Sequence, residues 1–406
     1  MKITTELLGD HPALTSIECG RAISGSWIRG GDGLIGFGTY RTIKVSGPDR
    51  FTQAQTWWRE NIKHFDIKNS VHGAGTGPVV FASFSFDENE ESVLVIPEIV
   101  VGKKGDRSWI TWVGEPQPEL HEAIRLTTGQ EFAWSKGSLG DREWCERVDQ
   151  AVARIKAGEL EKVVLARNEI AQSQTEINLR TLLQTLEEGY PSTWLYCVDG
   201  LIGATPELLV RLNKTLVTSR VLAGTIRRTG NEERDLLLAG SLAKSSKDLE
   251  EHEYAVRSVA DALAPFASST NVPESPFVLH LPNVMHLATD VTGVINDSVA
   301  HIDIFTLTAA LHPSAAVCGT PTPKARAVIK EIEAMNRGRY AGPVGWVDAR
   351  GDGEFGIALR CGQISADQKS IELYAGCGIV AGSDSAQELA ESQAKLAPVK
   401  SALAKL

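Results

Sequence analysis

The last three β-like runs of the chain, at 343–348, 354–365 and 371–375, are joined by very short turns, Arg350-Gly351-Asp352-Gly353 and Ala366-Asp367-Gln368. Turns of that length join antiparallel neighbours, because parallel strands need a crossover of a dozen residues or more. Repeated βαβ units are therefore excluded here, and large antiparallel sheets with helices outside are expected, an α+β fold.

Residues 1 to about 130 read as strand-dominated, with short runs at 34–40, 79–86 and 93–101 punctuated by Gly30-Gly31 and Gly102. From Asp141 the period changes: Trp144, Val148, Val152 and Ile155 recur at helical spacing until Gly158. The strand KVVLARNEI (162–170) follows directly. Further helical stretches are expected near 176–188, 232–264, 298–311, 323–337 and 385–404, with strands near 194–199, 207–213 and 277–282 between them. No repeat of 20 to 50 residues is present. The 406 residues are read as one continuous catalytic unit, with a strand-rich first part (1–130) and a motif-bearing core (140–400).

Charge and hydropathy remove several function classes. Fifty-one acidic against 41 basic residues leave a net charge of −10, and no Lys/Arg block offsets repulsion from a phosphate backbone, so a nucleic-acid partner is not expected. No apolar run approaches 18 residues, which excludes a membrane-spanning helix, and Glu6 and Asp10 interrupt the start where a secretory peptide needs an apolar stretch. A cytoplasmic protein is expected. Its six cysteines are scattered without a C-x-x-C pair and read as reduced, mostly buried thiols.

Two acidic pairs at i, i+3 spacing stand out, Asp248 with Glu251 and Glu388 with Glu391. Each puts two carboxylates on one helix face, where like charges repel unless a cation neutralises them. Four acids from two facing helices could hold Mg²⁺, which takes one or two carboxylates plus substrate oxygens and water. A solvated helix face is the competing reading. Lys395 shares the stripe of Glu388 and Glu391, either as an i+4 salt-bridge partner or as a site for an anionic ligand.

Other candidates are single residues. Lys162 opens an apolar strand whose alternation sends Lys162, Val164 and Ala166 to one face, where a partly desolvated lysine can serve as a general base. An edge lysine reaching water is the alternative. Gly203-Ala204-Thr205-Pro206-Glu207 is a turn delivering a carboxylate into a strand; buried, Glu207 would have a raised pKa and could donate a proton near neutrality. Glycines in Ala223-Gly224-Thr225 and Gly376-Cys377-Gly378 could expose backbone N–H groups to a carboxylate. Arg360, ending the strand EFGIALR, is a possible bidentate carboxylate clamp. His286 and His312 follow apolar runs and read first as core histidines.

Taken together, the ordered motifs EKVVLAR (161–167), GATPELLV (203–210), LAGTIRR (222–228), SSKDLEEHEYAV (245–256), VMHLATDVTG (284–293), LHPSAAVCGTP (311–321), RGRYAGPVGWVD (337–348), YAGCGIVAGSD (374–384) and QELAESQAKL (387–396) resemble the chorismate-utilising enzymes, isochorismate synthases most of all. The first 130 residues match only loosely. The resemblance implies a large α/β/α sandwich with antiparallel sheets and a magnesium-dependent site acting on chorismate. It implies Lys162 as the base that activates water and Glu207 as the acid. Glu251 and Glu391 match the usual magnesium ligands, with Asp248 and Glu388 in neighbouring acidic positions. Gly224, Tyr340, Arg360, Gly378 and Lys395 match positions that hold the substrate's carboxylates, and His286 and Ala316 belong to the same pocket.

The same resemblance separates activities within the family. Anthranilate synthases carry Gln at the position of Lys162 and draw ammonia from a glutaminase, so no such partner is expected. Aminodeoxychorismate synthases carry a nucleophilic lysine where Ala223 stands. Salicylate synthases typically have Thr at the position of Ala316, and remain the alternative. A catalytically silent binding homologue would have lost the base, acid or metal residues, and each of these positions is filled. A monomeric enzyme converting chorismate to isochorismate, an isomerase, is therefore expected, its product open to menaquinone or siderophore synthesis.

Overall fold

The computed structural model describes residues 1–123, 129–296 and 302–406; within these the side chains of Lys247 and Glu251 lie outside the described set. Two sheets, of thirteen and ten strands among the described residues, dominate the chain. Pairing is antiparallel except where Lys2–Leu8 runs parallel to Asp66–Asn69. The larger sheet contains Lys162–Gln172, Ser370–Ile379, Cys361–Ile364, Leu201–Thr205 and Trp194–Val198 in that order, then continues into Ile23–Arg29 of the first third. The smaller runs from Val284–Ile295 through Leu216–Arg227, Leu208–Asn213, Gly353–Ile357 and Pro343–Asp348 to Val79–Ser83.

The sheets lie face to face, and glycines make the close approach possible. A Cβ on Gly25 would lie 2.3 Å from the Phe81 ring of the opposite sheet, and one on Gly356 would lie 2.7 Å from Trp27. Trp27, Tyr196, Phe81, Val210 and Phe355 share the main core between them. On the larger sheet's outer side, Leu182 and Leu186 of helix Leu179–Gly189 and Leu396, Val399 and Leu403 of helix Ser385–Leu403 form a second core. Helix Ser246–Leu263 packs on strands Leu216–Arg227 and Val284–Ile295 of the smaller sheet. The outcome is the expected α+β architecture of antiparallel sheets covered by helices.

Three local expectations change. The helical stretch 232–264 is two helices, Glu232–Leu242 and Ser246–Leu263, because Ser245 caps the second: its Oγ accepts from the Asp248 N–H at 3.3 Å. The single strand at 354–365 is two, Gly353–Ile357 and Cys361–Ile364, which belong to different sheets. Leu216–Arg227 and Val284–Ile295 are long paired strands that local pattern did not mark. The helix expected from 298 is described from Ile304 to Leu311; 297–301 lie outside the described residues.

The chain changes sheet at two neighbouring places. At Pro206 and Glu207 it passes from Leu201–Thr205 to Leu208–Asn213, and at 358–360 it returns from Gly353–Ile357 to Cys361–Ile364. The Ile357 N–H donates to the Glu207 carbonyl and the Ala204 N–H to the Arg360 carbonyl, each at 3.2 Å, so the crossings hold one another.

Candidate active site

A cavity of about 260 Å³ opens beside these crossings. Lys162, Glu207, Gly224, Asp248, His286, Ala316, Tyr340, Arg360, Gly378, Glu388, Glu391 and Lys395 all line it. Every site residue singled out from the sequence is thus brought to one place, except Glu251, whose side chain is outside the described residues. His312 stays in the core as first read, where burial pushes its imidazolium down to about 3.

Sheet geometry aims each wall. Lys162 begins the strand Lys162–Gln172, and Lys162 and Val164 face the cavity together, as strand alternation requires. Glu207 is 7% exposed, and burial pushes its carboxyl up to about 7 even though Lys162 and Lys395 pull the other way. A carboxylic acid of that kind holds its proton near neutral pH. Arg360 is buried at the second crossing in the left-handed region, φ +50°, and lines the cavity. Its Nη2 lies 3.4 Å from His286 Nε2, while His286 Nδ1 lies 3.0 Å from Thr225 Oγ1. Burial, then Arg360 and Lys395, hold the His286 pKa well below its usual value. A guanidinium only donates, so the neutral imidazole accepts at Nε2 and carries its proton on Nδ1.

Gly224 sits in a bulge between Ala223 and Thr225 at φ +76°, and a Cβ there would lie 3.2 Å from the Asp248 Cβ. Gly376 is required by Tyr340, whose Oη would lie 2.8 Å from an added Cβ. Tyr340 is buried and stacks on Tyr374 with centroids 5.2 Å apart and planes 14° from parallel. Tyr374 was missed in the sequence, although alternation along Tyr374, Gly376 and Gly378 places all three on the cavity wall.

The acidic residues come from the first turns of two helices. Asp248 lies in the first turn of Ser246–Leu263 and Glu388 in the first turn of Ser385–Leu403, where the helix dipole favours negative charge. Glu391, one turn on, pairs with Lys395 at 2.6 Å, and Lys395 also donates to the Gly376 carbonyl at 2.8 Å. Burial raises the Glu391 pKa, but Lys395, Arg360 and Lys162 outweigh it and the carboxyl stays below its usual value. One donor atom each from Glu388, Glu391 and Cys377 lie within 4.8 Å of one another. Burial holds the Cys377 thiol protonated, and its Sγ donates to the Glu388 carbonyl at 3.3 Å. The hard donors are thus carboxylate oxygens, a set suited to Mg²⁺.

Comparison with known proteins gives a consistent picture. Residues 29–404 match the family model described as chorismate binding enzyme. Isochorismate synthase MenF of Bacillus subtilis is 30% identical over 405 residues, covering 91% of this chain and 85% of the relative. Isochorismate synthase DhbC of the same organism is 35% identical over 341 residues, 81% of each. A crystal structure of a putative 2,3-dihydroxybenzoate-specific isochorismate synthase from Bacillus anthracis superposes with a TM-score of 0.79 at 30% identity, covering 95% of this chain and 96% of that one.

Proposed function

The chain belongs to the chorismate binding enzyme family, and from that premise we propose that it is an isochorismate synthase, an isomerase that moves a hydroxyl of chorismate from C4 to C2. The observation that carries the reading is the convergence of Lys162 and a buried, proton-holding Glu207 on one cavity that also holds two buried or half-buried cations, Arg360 and Lys395. Cations that are desolvated in this way suit a dicarboxylate substrate.

Lys162, as the base, takes a proton from the water that attacks C2. Glu207, as the acid, gives its proton to the hydroxyl leaving C4, which departs as water. One water enters and one leaves, so the step is close to thermoneutral and runs both ways, with catalysis coming from positioning and proton transfer. Arg360 and Lys395, together with backbone at Gly224 and Gly378, hold the substrate's carboxylates, and Tyr340, His286 and Ala316 shape the remaining wall. Asp248, Glu388 and Glu391, with Glu251 of the same helix as Asp248, are the residues that would hold Mg²⁺. Bound there, the ion supplies charge neutralisation for a substrate carboxylate. The enzyme acts in the cytoplasm as a monomer without a glutaminase subunit, since water rather than ammonia is the nucleophile. No helix among the described residues is long and apolar enough to cross a membrane.

The test is incubation of the purified protein with chorismate and Mg²⁺, resolving products by chromatography. Isochorismate is expected without ammonia, and isochorismate supplied alone should return chorismate. Anthranilate or aminodeoxychorismate as main product would overturn the reading; salicylate with pyruvate would shift it to salicylate synthase.

A further inference from the structure

The strand that carries Lys162 is incompletely paired on one edge. Lys162 and Val163 pair with Thr320 and Gly319, the Val164 N–H donates to the Cys318 carbonyl at 2.8 Å, and residues 169–172 pair with 133–136, which among the described residues leaves a gap from the Val164 carbonyl to Asn168. A buried ion pair fills the start of this gap. Arg337 and Glu333 are each 3% exposed in their side chains, and the Glu333 carboxylate takes both Nε and Nη2 of Arg337, the former at 2.9 Å. The remaining valences go to backbone that strands would otherwise satisfy. Arg337 Nη2 donates to the Val164 carbonyl at 2.7 Å, and Glu333 Oε1 accepts from the Ala166 N–H at 2.7 Å. Arg337 Nη1 donates to the Val317 carbonyl at 3.0 Å, and the Arg337 carbonyl accepts from the Tyr340 N–H at 2.9 Å. Val164, Val317 and Tyr340 all line the cavity, on three separate stretches of chain.

We infer that the Arg337–Glu333 pair is a positioning element for the reaction, standing in for a missing strand so that Lys162 is held at a set place against the opposite walls. This rests on the assignment of Lys162 as the base. Neither side chain lines the cavity, so the pair acts through backbone. A general base displaced by a fraction of an ångström loses alignment with the attacking water. Stability should fall as well, because the Val164 and Val317 carbonyls and the Ala166 N–H lose their buried partners, so the dependence on Lys162 and not the melt carries the test.

The test is a mutant cycle read in kcat and KM for chorismate, with thermal melts alongside. The double variant Arg337→Met/Glu333→Leu removes the pair while keeping volume; Arg337→Lys keeps the charge but not the fork of donors. In the wild-type background the double variant should lower kcat roughly 10- to 100-fold. In a Lys162→Gln background the same change should cost no more than about threefold, because the group being positioned is already gone. Arg337→Lys should fall between, with the same dependence on Lys162. Equal losses in both backgrounds, or a double variant at wild-type turnover, would overturn the inference. If the double variant fails to fold, Arg337→Lys in the two backgrounds decides by the same criterion. A Lys162→Gln enzyme at the wild-type rate would instead refute the base assignment, and the inference with it, whatever the Arg337 variants did.

Discussion

Lys395 and Glu391 form a 2.6 Å ion pair on one helix face, and the lysine's other hydrogen bond goes to the Gly376 carbonyl across the cavity wall. Glu391 therefore neutralises a largely buried cation as well as belonging to the acidic set.

That double duty separates Glu391 from Glu388. Glu391→Ala should lower the stability of the metal-free protein by about 1–3 kcal/mol, less than for a fully buried pair because Glu391 is 31% exposed. Glu388→Ala should change metal-free stability less than Glu391→Ala, since the helix-dipole stabilisation it loses is offset by relief of repulsion from Glu391. Both should erase the thermal shift that Mg²⁺ produces, about 2.7 kcal/mol at a hundred times its Kd. Melting curves with and without Mg²⁺ check this; a Glu388→Ala protein with the full magnesium shift would remove that residue from the ligand set.

Lys162→Gln should reduce turnover by about 10² to 10⁴, the usual worth of general-base assistance, while leaving chorismate and Mg²⁺ binding close to wild type. Because forward and reverse reactions share one transition state, kcat/KM must fall by the same factor in both directions at a given metal concentration. Initial rates from chorismate and from isochorismate provide the comparison.

The Glu207 carboxyl, raised to about 7 by burial, has consequences for both rate and stability. One limb of the pH profile of kcat/KM should fall near pH 7, and the residual activity of Glu207→Gln should lack that limb. For stability the sign follows from the raised value: the folded state holds the proton more tightly than the unfolded chain. Its contribution is complete below about pH 4.5 and is lost as pH rises through about 7, roughly 3 kcal/mol in all. In ligand-free melts Glu207→Gln should therefore gain on the wild type between pH 5 and pH 8. Parallel curves across that range would show that the carboxyl is not held protonated.

Arg360→Lys should raise KM for chorismate about 10- to 100-fold with a smaller effect on kcat, because an ammonium cannot make the two parallel hydrogen bonds of a guanidinium. A KM close to wild type would place the substrate carboxylate elsewhere.

Much of this molecule is decided by local sequence. Period-two runs and short turns dictate antiparallel hairpins at 343–348 with 353–357 and at 361–364 with 370–379, and helical spacing with caps at Ser245 and Asp384 sets the helices that present Asp248, Glu388 and Glu391. The ordered motifs also point to the chemistry to look for, since Lys162, Glu207, Asp248 and Glu388 each stand at or beside the start of an element. What local pattern does not determine is where a strand goes next. The run 354–365 reads as continuous, yet the chain leaves one sheet before Arg360 and joins the other after it, a break at φ +50° that only neighbouring strands impose on a non-glycine residue. The crossing at Glu207 is equally hidden, because inter-sheet packing decides it, and that packing alone buries the carboxyl and raises its pKa. Likewise Leu216–Arg227 pairs with Val284–Ile295 across two intervening helices and two short strands, so the bulge that brings Gly224 up to Asp248 exists only once those distant segments meet. Residue type and spacing are local properties; burial, sheet membership and the approach of one wall to another depend on contacts far apart in the chain, and those contacts exist only in the folded molecule.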